Sequence, residues 1–345
     1  MPSRLRTTLL APVAMTALLI TGCSPTGSGD AESSSSTGEL VVYNAQHEEL
    51  TKEWAEAFTE ETGIEVVLRN GDDSELGNQL VQEGSASKAD VFLTENSPAM
   101  SLVEQAGLLA PVDEATLALV PEQYRPASGE WTGIAARSTV VVYNPELIAE
   151  ADLPTSLLDL AEPEWKGRWG AAPAKADFQA IVSAVVETQG EDGGRTWLEG
   201  MAANATEYRN NIVTMKAVNA GEVPLGVIYH YYWYRDQDAA AEDSGNTKLH
   251  YFGNQDPGAF VSVSGGGVLK NAPHADEAQQ FLAFITGEHG QEILGEGYSF
   301  EYPVASDVSA KPELPPLDGL DAPAIDPSTL NGPKVIELMT EAGLL

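Results

Sequence analysis

From Glu39 to Pro98, short β-branched runs alternate with stretches of helical period, and this alternation limits the possible architecture more than any other feature of the chain. Glu39–Asn44, with Leu40, Val41, Val42 and Tyr43, reads as a strand. In Gln46–Thr62, Leu50, Trp54 and Phe58 recur at four-residue spacing and Gly63 closes the segment, the pattern of an amphipathic helix. Ile64–Leu68 gives a second strand, Ser74–Glu83 a second helix and Ala89–Leu93 a third strand. Asn96–Ser97–Pro98 marks the next helix start, with proline just inside the first turn. Such a succession requires parallel strands joined by crossover helices, so the fold class is α/β.

Thr132–Tyr143 is a β-rich run much longer than its neighbours, which suits a strand crossing between two lobes. Beyond it, Trp169–Ala172, helices at Phe178–Glu187, Arg195–Ala203 and Ile212–Ala220, and the strand Val223–Ile228 build a second α/β unit. A second long run, Ala259–Leu269, carries the chain back, with Gly265–Gly267 giving a bend or a close backbone approach. Helices near Ala275–Ile285 and Gln291–Leu294, a proline-rich stretch from Lys311 to Pro327 and a terminal helix at Lys334–Glu341 complete the body. The expected result is two α/β lobes joined by two crossing strands, with a ligand cleft between them. The first lobe takes residues 39–138 and 262–312, the second 139–261 and 313–345.

Ahead of this body stands an apolar stretch, Leu9–Ile20, preceded by Arg4 and Arg6, of signal-peptide length and too short for a stable membrane span. Ile20–Thr21–Gly22–Cys23 follows directly and resembles a bacterial lipobox, and Cys23 is the single cysteine of the chain. Residues 1–22 are therefore expected to be a lipoprotein signal peptide, with Cys23 lipidated and residues 23–38, including Ser33–Ser36, a flexible tether. That places the protein outside the cytoplasm, anchored to the cell membrane. Acidic residues outnumber basic ones 52 to 18 with no Lys/Arg-rich run, which argues against nucleic acid as a partner.

Four of the 11 tyrosines fall within Gly226–Arg235, at the carboxyl end of the strand Val223–Ile228. In open α/β sheets, ligands bind at such strand ends. Two more strand ends would face the same cleft: Asn44–Ala45–Gln46–His47 and Thr94–Glu95–Asn96. Together with Tyr229–Tyr232 they offer an imidazole, a carboxylate and phenols. Each alone has a plain alternative, as a helix-start residue for His47 or Glu95 or as a core tyrosine with a wet hydroxyl.

The chain resembles the ferric-ion-binding receptors of bacterial ABC importers, bilobal solute-binding proteins of the periplasmic-binding-protein fold. The likeness runs from Leu40 to Leu345. It is carried by Val42–Tyr43–Asn44–Ala45–Gln46–His47, Ala89–Asp90–Val91–Phe92 with Glu95, Val140–Val141–Val142–Tyr143, Tyr231–Tyr232–Trp233, Asp256–Pro257–Gly258–Ala259 and Glu301–Tyr302–Pro303. The resemblance implies a metal held by His47 and Glu95 from the first lobe and Tyr231 and Tyr232 from the second. It further implies an ABC permease as partner and Fe(III) as cargo, with phosphate or carbonate as a bridging anion. Asn96 and Asn211 match the family's anion contacts. The family's Ser-Gly-Ala loop is replaced by Lys175–Ala176–Asp177, and Tyr229 stands where an asparagine is usual.

Asp177 has two readings: a carboxylate that takes the place of a phosphate oxygen, or a cap for the helix that follows. Lys175 would remain a charge partner for an anion, and participation of an anion is the expectation adopted. No nucleophile elbow, phosphate loop or zinc spacing argues for an enzyme. The rival is a receptor of the same fold for an organic cation or a phosphonate, its tyrosines stacking on the ligand. A monomer is expected.

Overall fold

The computed structural model describes residues 38–305 and 307–345, so the signal-like segment, Cys23 and the tether lie outside the described residues. The expected alternation is present as β1 (Leu40–Asn44), α1 (Glu48–Thr62), β2 (Val66–Asn70), α2 (Asp73–Glu83), β3 (Val91–Leu93) and α3 (Ser97–Gln105). β1 pairs in parallel with β2 on one side and with β3 on the other. Gly63 ends α1 at φ 77°, its N–H donating to Thr59 O at 2.8 Å, a left-handed closure that glycine adopts without strain. Strand alternation divides the side chains between two cores. Leu40, Val42, Val91 and Leu93 pack with Leu50, Trp54 and Phe58, while Tyr43 and Phe92 pack with Leu76, Leu80 and Met100.

After a short helix α4 (Glu114–Leu117), β4 (Thr132–Tyr143) follows over its full expected length, every residue buried. The second unit contains β5 (Trp169–Ala171), α5 (Ala176–Asn204), β6 (Ala205–Glu207), α6 (Asn211–Asn219), β7 (Leu225–Tyr229), α7 (His230–Ala239) and β8 (Lys248–His250). The two helices expected within 178–203 are one run interrupted at Gly190, whose φ of 76° and ψ of 168° leave the helical region. β6 and β8 are three residues each, too short to carry a readable period. β9 (Val261–Val268) returns, followed by α8 (Ala275–Thr286), α9 (Glu288–Glu296) and α10 (Gly332–Glu341). β9 begins later than expected because Asp256 accepts from Gly258 N at 2.7 Å and turns Pro257–Ala259 into a 3₁₀ turn. Gly266 serves a close approach: a Cβ there would meet Leu282 Cδ1 at 2.7 Å and Ile134 Cγ2 at 2.9 Å.

The sheet order is β2-β1-β3-β9-β4-β7-β5-β6, with β8 pairing β4. β4 belongs to both halves. Thr132–Ser138 pairs antiparallel with β9, and from Thr139 onward the strand pairs with β7. Its second part builds cores on two faces, Val141 with Val227, Phe178 and Trp197, and Val140 and Val142 with Met215, Val218 and Ile228. This is a bilobal α/β fold. Phe300, Tyr302 and Val304, from a stretch expected with the first lobe, pack into the second core.

Candidate functional site

Five chain turns meet where β4 changes partners. His47 precedes α1, Glu95 follows β3 and Asn96 immediately precedes α3 without capping it. Tyr229 ends β7, and Tyr231 and Tyr232 lie in the first turn of α7. Lys175 precedes α5, Ala176 and Asp177 open it, and Asn211 opens α6. Each predicted residue therefore sits at the carboxyl end of a strand or at a helix start, as expected.

The contacts bring these turns onto common atoms. Tyr231 OH donates to Glu95 Oε1 at 2.7 Å, and Tyr232 OH donates to Asp177 Oδ2 at 2.9 Å. The two phenol rings lie 4.2 Å apart, and the His47 ring stands edge-on to Tyr231 at 5.1 Å. His47 Nε2 is 3.9 Å from Glu95 Oε1. Asn96 donates through Nδ2 to Asp177 Oδ1 at 3.0 Å and to Asp73 Oδ2 at 3.2 Å. Its Oδ1 accepts from Tyr229 OH at 3.2 Å and Ser262 Oγ at 2.9 Å. Asn211 Nδ2 donates to Asp177 Oδ2 at 2.6 Å. Asp177 does not cap α5, whose leading residue Lys175 also makes no side-chain cap. Lys175 is exposed and lines, with Glu95, Asp177, Asn211 and Tyr232, a cavity of about 280 Å³.

Burial sets the electrostatics. It pushes the Tyr231 and Tyr232 phenols well above their ordinary value, and Asp177 and then Glu95 add to the rise. Burial followed by the Glu95 charge brings Asp177 up to about 7. Asp73 is raised by the same two causes, while it accepts the backbone N–H groups of Glu95 and Asn96 at 2.9 Å each. Both phenols are therefore protonated at neutral pH, ready to exchange a proton for a stronger cation.

Sequence reasoning missed two charges. Arg137, the only charged residue in β4, and Glu301 are fully buried and form an ion pair, Nη2 to Oε1. Ser264 Oγ accepts from Arg137 Nη2 at 2.6 Å and from Gln46 Nε2 at 2.7 Å, and donates to Glu95 O at 3.1 Å. Burial opposes the guanidinium charge, but Glu301 and then Glu95 outweigh it and hold Arg137 above its usual value. Burial also opposes the Glu301 charge, but Arg137 together with His47 and Gln46 holds Glu301 below its usual value. A lone arginine in an otherwise uncharged buried strand was the available signal. His230 lies at the partner change itself: its Nδ1 accepts from Ser138 N at 3.1 Å and its ring stacks on Tyr302 at 4.8 Å. Burial lowers its pKa to about 4, so the ring is neutral.

Among the described residues, no group of three or more His, Cys, Asp and Glu could hold a metal ion on its own. Any metal chemistry here needs the phenols. Two phenolates and a carboxylate would match a small trivalent cation in charge, and their hard oxygens would match it in kind.

Residues 86–324 match the model of a family described as bacterial extracellular solute-binding proteins. The chain is 58% identical to the Fe(3+)-binding periplasmic protein of Serratia marcescens, over 99% of this chain and 100% of that one. It is 35% identical to the major ferric iron-binding protein of Neisseria meningitidis, over 89% and 93% of the two chains. Iron-bound HitA of Pseudomonas aeruginosa superposes with a TM-score of 0.84 at 43% identity, covering 89% of this chain and 99% of that one.

Proposed function

The chain belongs to the bacterial extracellular solute-binding proteins, and from that premise we propose that it captures ferric iron between its lobes and hands it to the membrane permease of an ABC importer. The observation that carries this is the convergence of Tyr231 on Glu95, 2.7 Å apart and contributed by opposite lobes, with His47 and Tyr232 beside them. His47, Glu95, Tyr231 and Tyr232 are the proposed ligands. Ferric iron displaces the two phenolic protons, and the two phenolates with Glu95 cancel its three charges. The neutral imidazole adds a donor without adding charge. Because the donors come from both lobes, capture and lobe closure are one event, and opening releases the cargo.

Asp177 occupies the place between Asn96 and Asn211 that a bridging phosphate or carbonate would fill, and Lys175 at the cavity edge remains available to an anion or a chelator. No catalytic role is assigned. A lipid anchor at Cys23 would keep the monomeric receptor close to its permease. A receptor for an organic cation or a phosphonate would need rings free to stack on the ligand. Here both hydroxyls are turned onto carboxylates, and the similar proteins bind iron. The test is the absorption spectrum of the purified protein titrated with ferric citrate: iron–phenolate charge transfer colours the protein, and a colourless saturated protein refutes the reading.

A further inference from the structure

Glu301 is 1% exposed, and its two oxygens have different surroundings. Oε1 meets Arg137 Nη2 and lies 3.4 Å from Gln46 Nε2. Oε2 is buried with no hydrogen-bond partner among the described residues, and the same holds for His47 Nε2, the atom it faces at 3.7 Å. A buried carboxylate oxygen without a partner is costly, and so is a buried ring nitrogen. Here the two stand opposite each other, on the side of the imidazole that also faces Glu95 Oε1 at 3.9 Å.

Resting on the iron reading above, we propose that Glu301 is a further oxygen donor to the ferric ion, with Oε2 completing the set begun by His47, Glu95, Tyr231 and Tyr232. Metal bonds to nitrogen and carboxylate oxygen are about 2 Å long, so two donors to one ion stand no more than about 4 Å apart. The separations of 3.7 Å and 3.9 Å from His47 Nε2 both satisfy that limit. One ion would take up both orphaned atoms at once. The charge also fits. Glu301 adds a negative charge to the site, and Arg137, paired to its other oxygen, supplies the compensating positive one. The site keeps its three net negative charges while gaining a donor, which a carboxylate without its own cation could not achieve. Arg137 also fixes which oxygen is available, because Oε1 is already engaged by Arg137 and close to Gln46.

Ferric nitrilotriacetate titrations of the parent, Glu301→Gln and Glu301→Asp test this. The Asp variant keeps a charge beside Arg137 but draws the outer oxygen back, and thermal melting of the iron-free variants checks that they fold. Both variants should stay coloured, lose affinity by more than the roughly 10- to 100-fold that an outer-sphere partner costs, and show their charge-transfer band at longer wavelength, since removing an anionic donor makes the iron a better electron acceptor. Glu301→Gln should shift the band again in a His47→Ala background. An unchanged band and affinity in folded variants, or no added effect in the His47→Ala background, overturns the donor role. A parent that binds iron without any visible band overturns the phenolate reading instead.

Discussion

Asn96 Nδ2 donates to Asp177 Oδ1 across 3.0 Å, tying the start of α3 in one lobe to the first turn of α5 in the other. Asn211 meets the second oxygen of the same carboxylate at 2.6 Å. Two asparagines that match anion contacts in the resembling family are thus already engaged by a carboxylate of the chain itself.

Ferric affinity should therefore agree within about twofold between phosphate-free and phosphate-containing buffer at matched pH, a difference smaller than one ordinary hydrogen bond. Asp177→Ala should create a dependence on phosphate, with Lys175 as its charge partner. A phosphate or carbonate requirement in the parent would restore the anion-dependent arrangement expected from the sequence.

Tyr231→Phe and Tyr232→Phe should each weaken iron binding by more than the roughly 10- to 100-fold that loss of an outer-sphere partner costs, with the fold retained. The double variant should be colourless. His47→Ala should cost less than either, because a neutral imidazole brings no charge. Ferric titration followed in the visible range ranks all four.

Both phenols are held well above their ordinary pKa, so both carry protons before iron arrives. Each ferric ion bound near neutral pH should release about two protons from them, and affinity should fall as pH falls. Proton release measured in weakly buffered solution checks the count; release of none would show that the phenols stay protonated.

In the iron-free protein Asp177 should favour folding less and less as pH rises from about 4 to about 7, while His230, lowered by burial to about 4, works in the opposite direction over the lower part of that interval. Asp177 has an unfolded value near 3.9 and a folded value of about 7. Across that interval the folded state holds the extra proton, which favours folding below it and gives no advantage above it. Asp73, raised by the same causes, contributes with the same sign. Urea midpoints of the parent and Asp177→Asn at pH 5 and pH 8 isolate the Asp177 share: on going to pH 8 the parent should lose more, or gain less, than the variant, and an equal change in both would refute it.

Cys23→Ser should leave the precursor unprocessed or free of lipid. Metabolic labelling with a fatty acid reads this directly, and a labelled serine variant would refute the anchor.

Strands, helices and the two long β runs were legible because each is periodic or strongly β-branched over its own length, as with Leu50, Trp54 and Phe58 on α1. The candidate cleft was legible because His47, Glu95 and Tyr229–Tyr232 stand at strand ends or helix starts; the choice of His47, Glu95, Tyr231 and Tyr232 as ligands is what the family resemblance implies. What remained hidden was tertiary. Arg137 and Glu301 are 164 residues apart, and neither belongs to a local pattern that reveals the other. The role of Asp177 was ambiguous because an acidic residue at a helix start suits a cap and a cleft equally well. Only the positions of Asn96, Asn211 and Tyr232 separate the two. The break expected between Glu187 and Arg195 narrows in the structure to Gly190 alone, because glycine marks a break without saying how long it is.

The sharing of β4 between the lobes has a consequence for how the chain comes together as it emerges amino terminus first. β1, β2 and β3 can pair early, but the free side of β3 is covered only by β9, and the first part of β4 also waits for β9. Until Val261–Val268 arrives, the nascent protein carries an open sheet edge built of Val91, Phe92 and Leu93, the kind of edge on which chains aggregate. Assembly of the first lobe is thus the last step of the sheet to be completed, although most of its residues are made first.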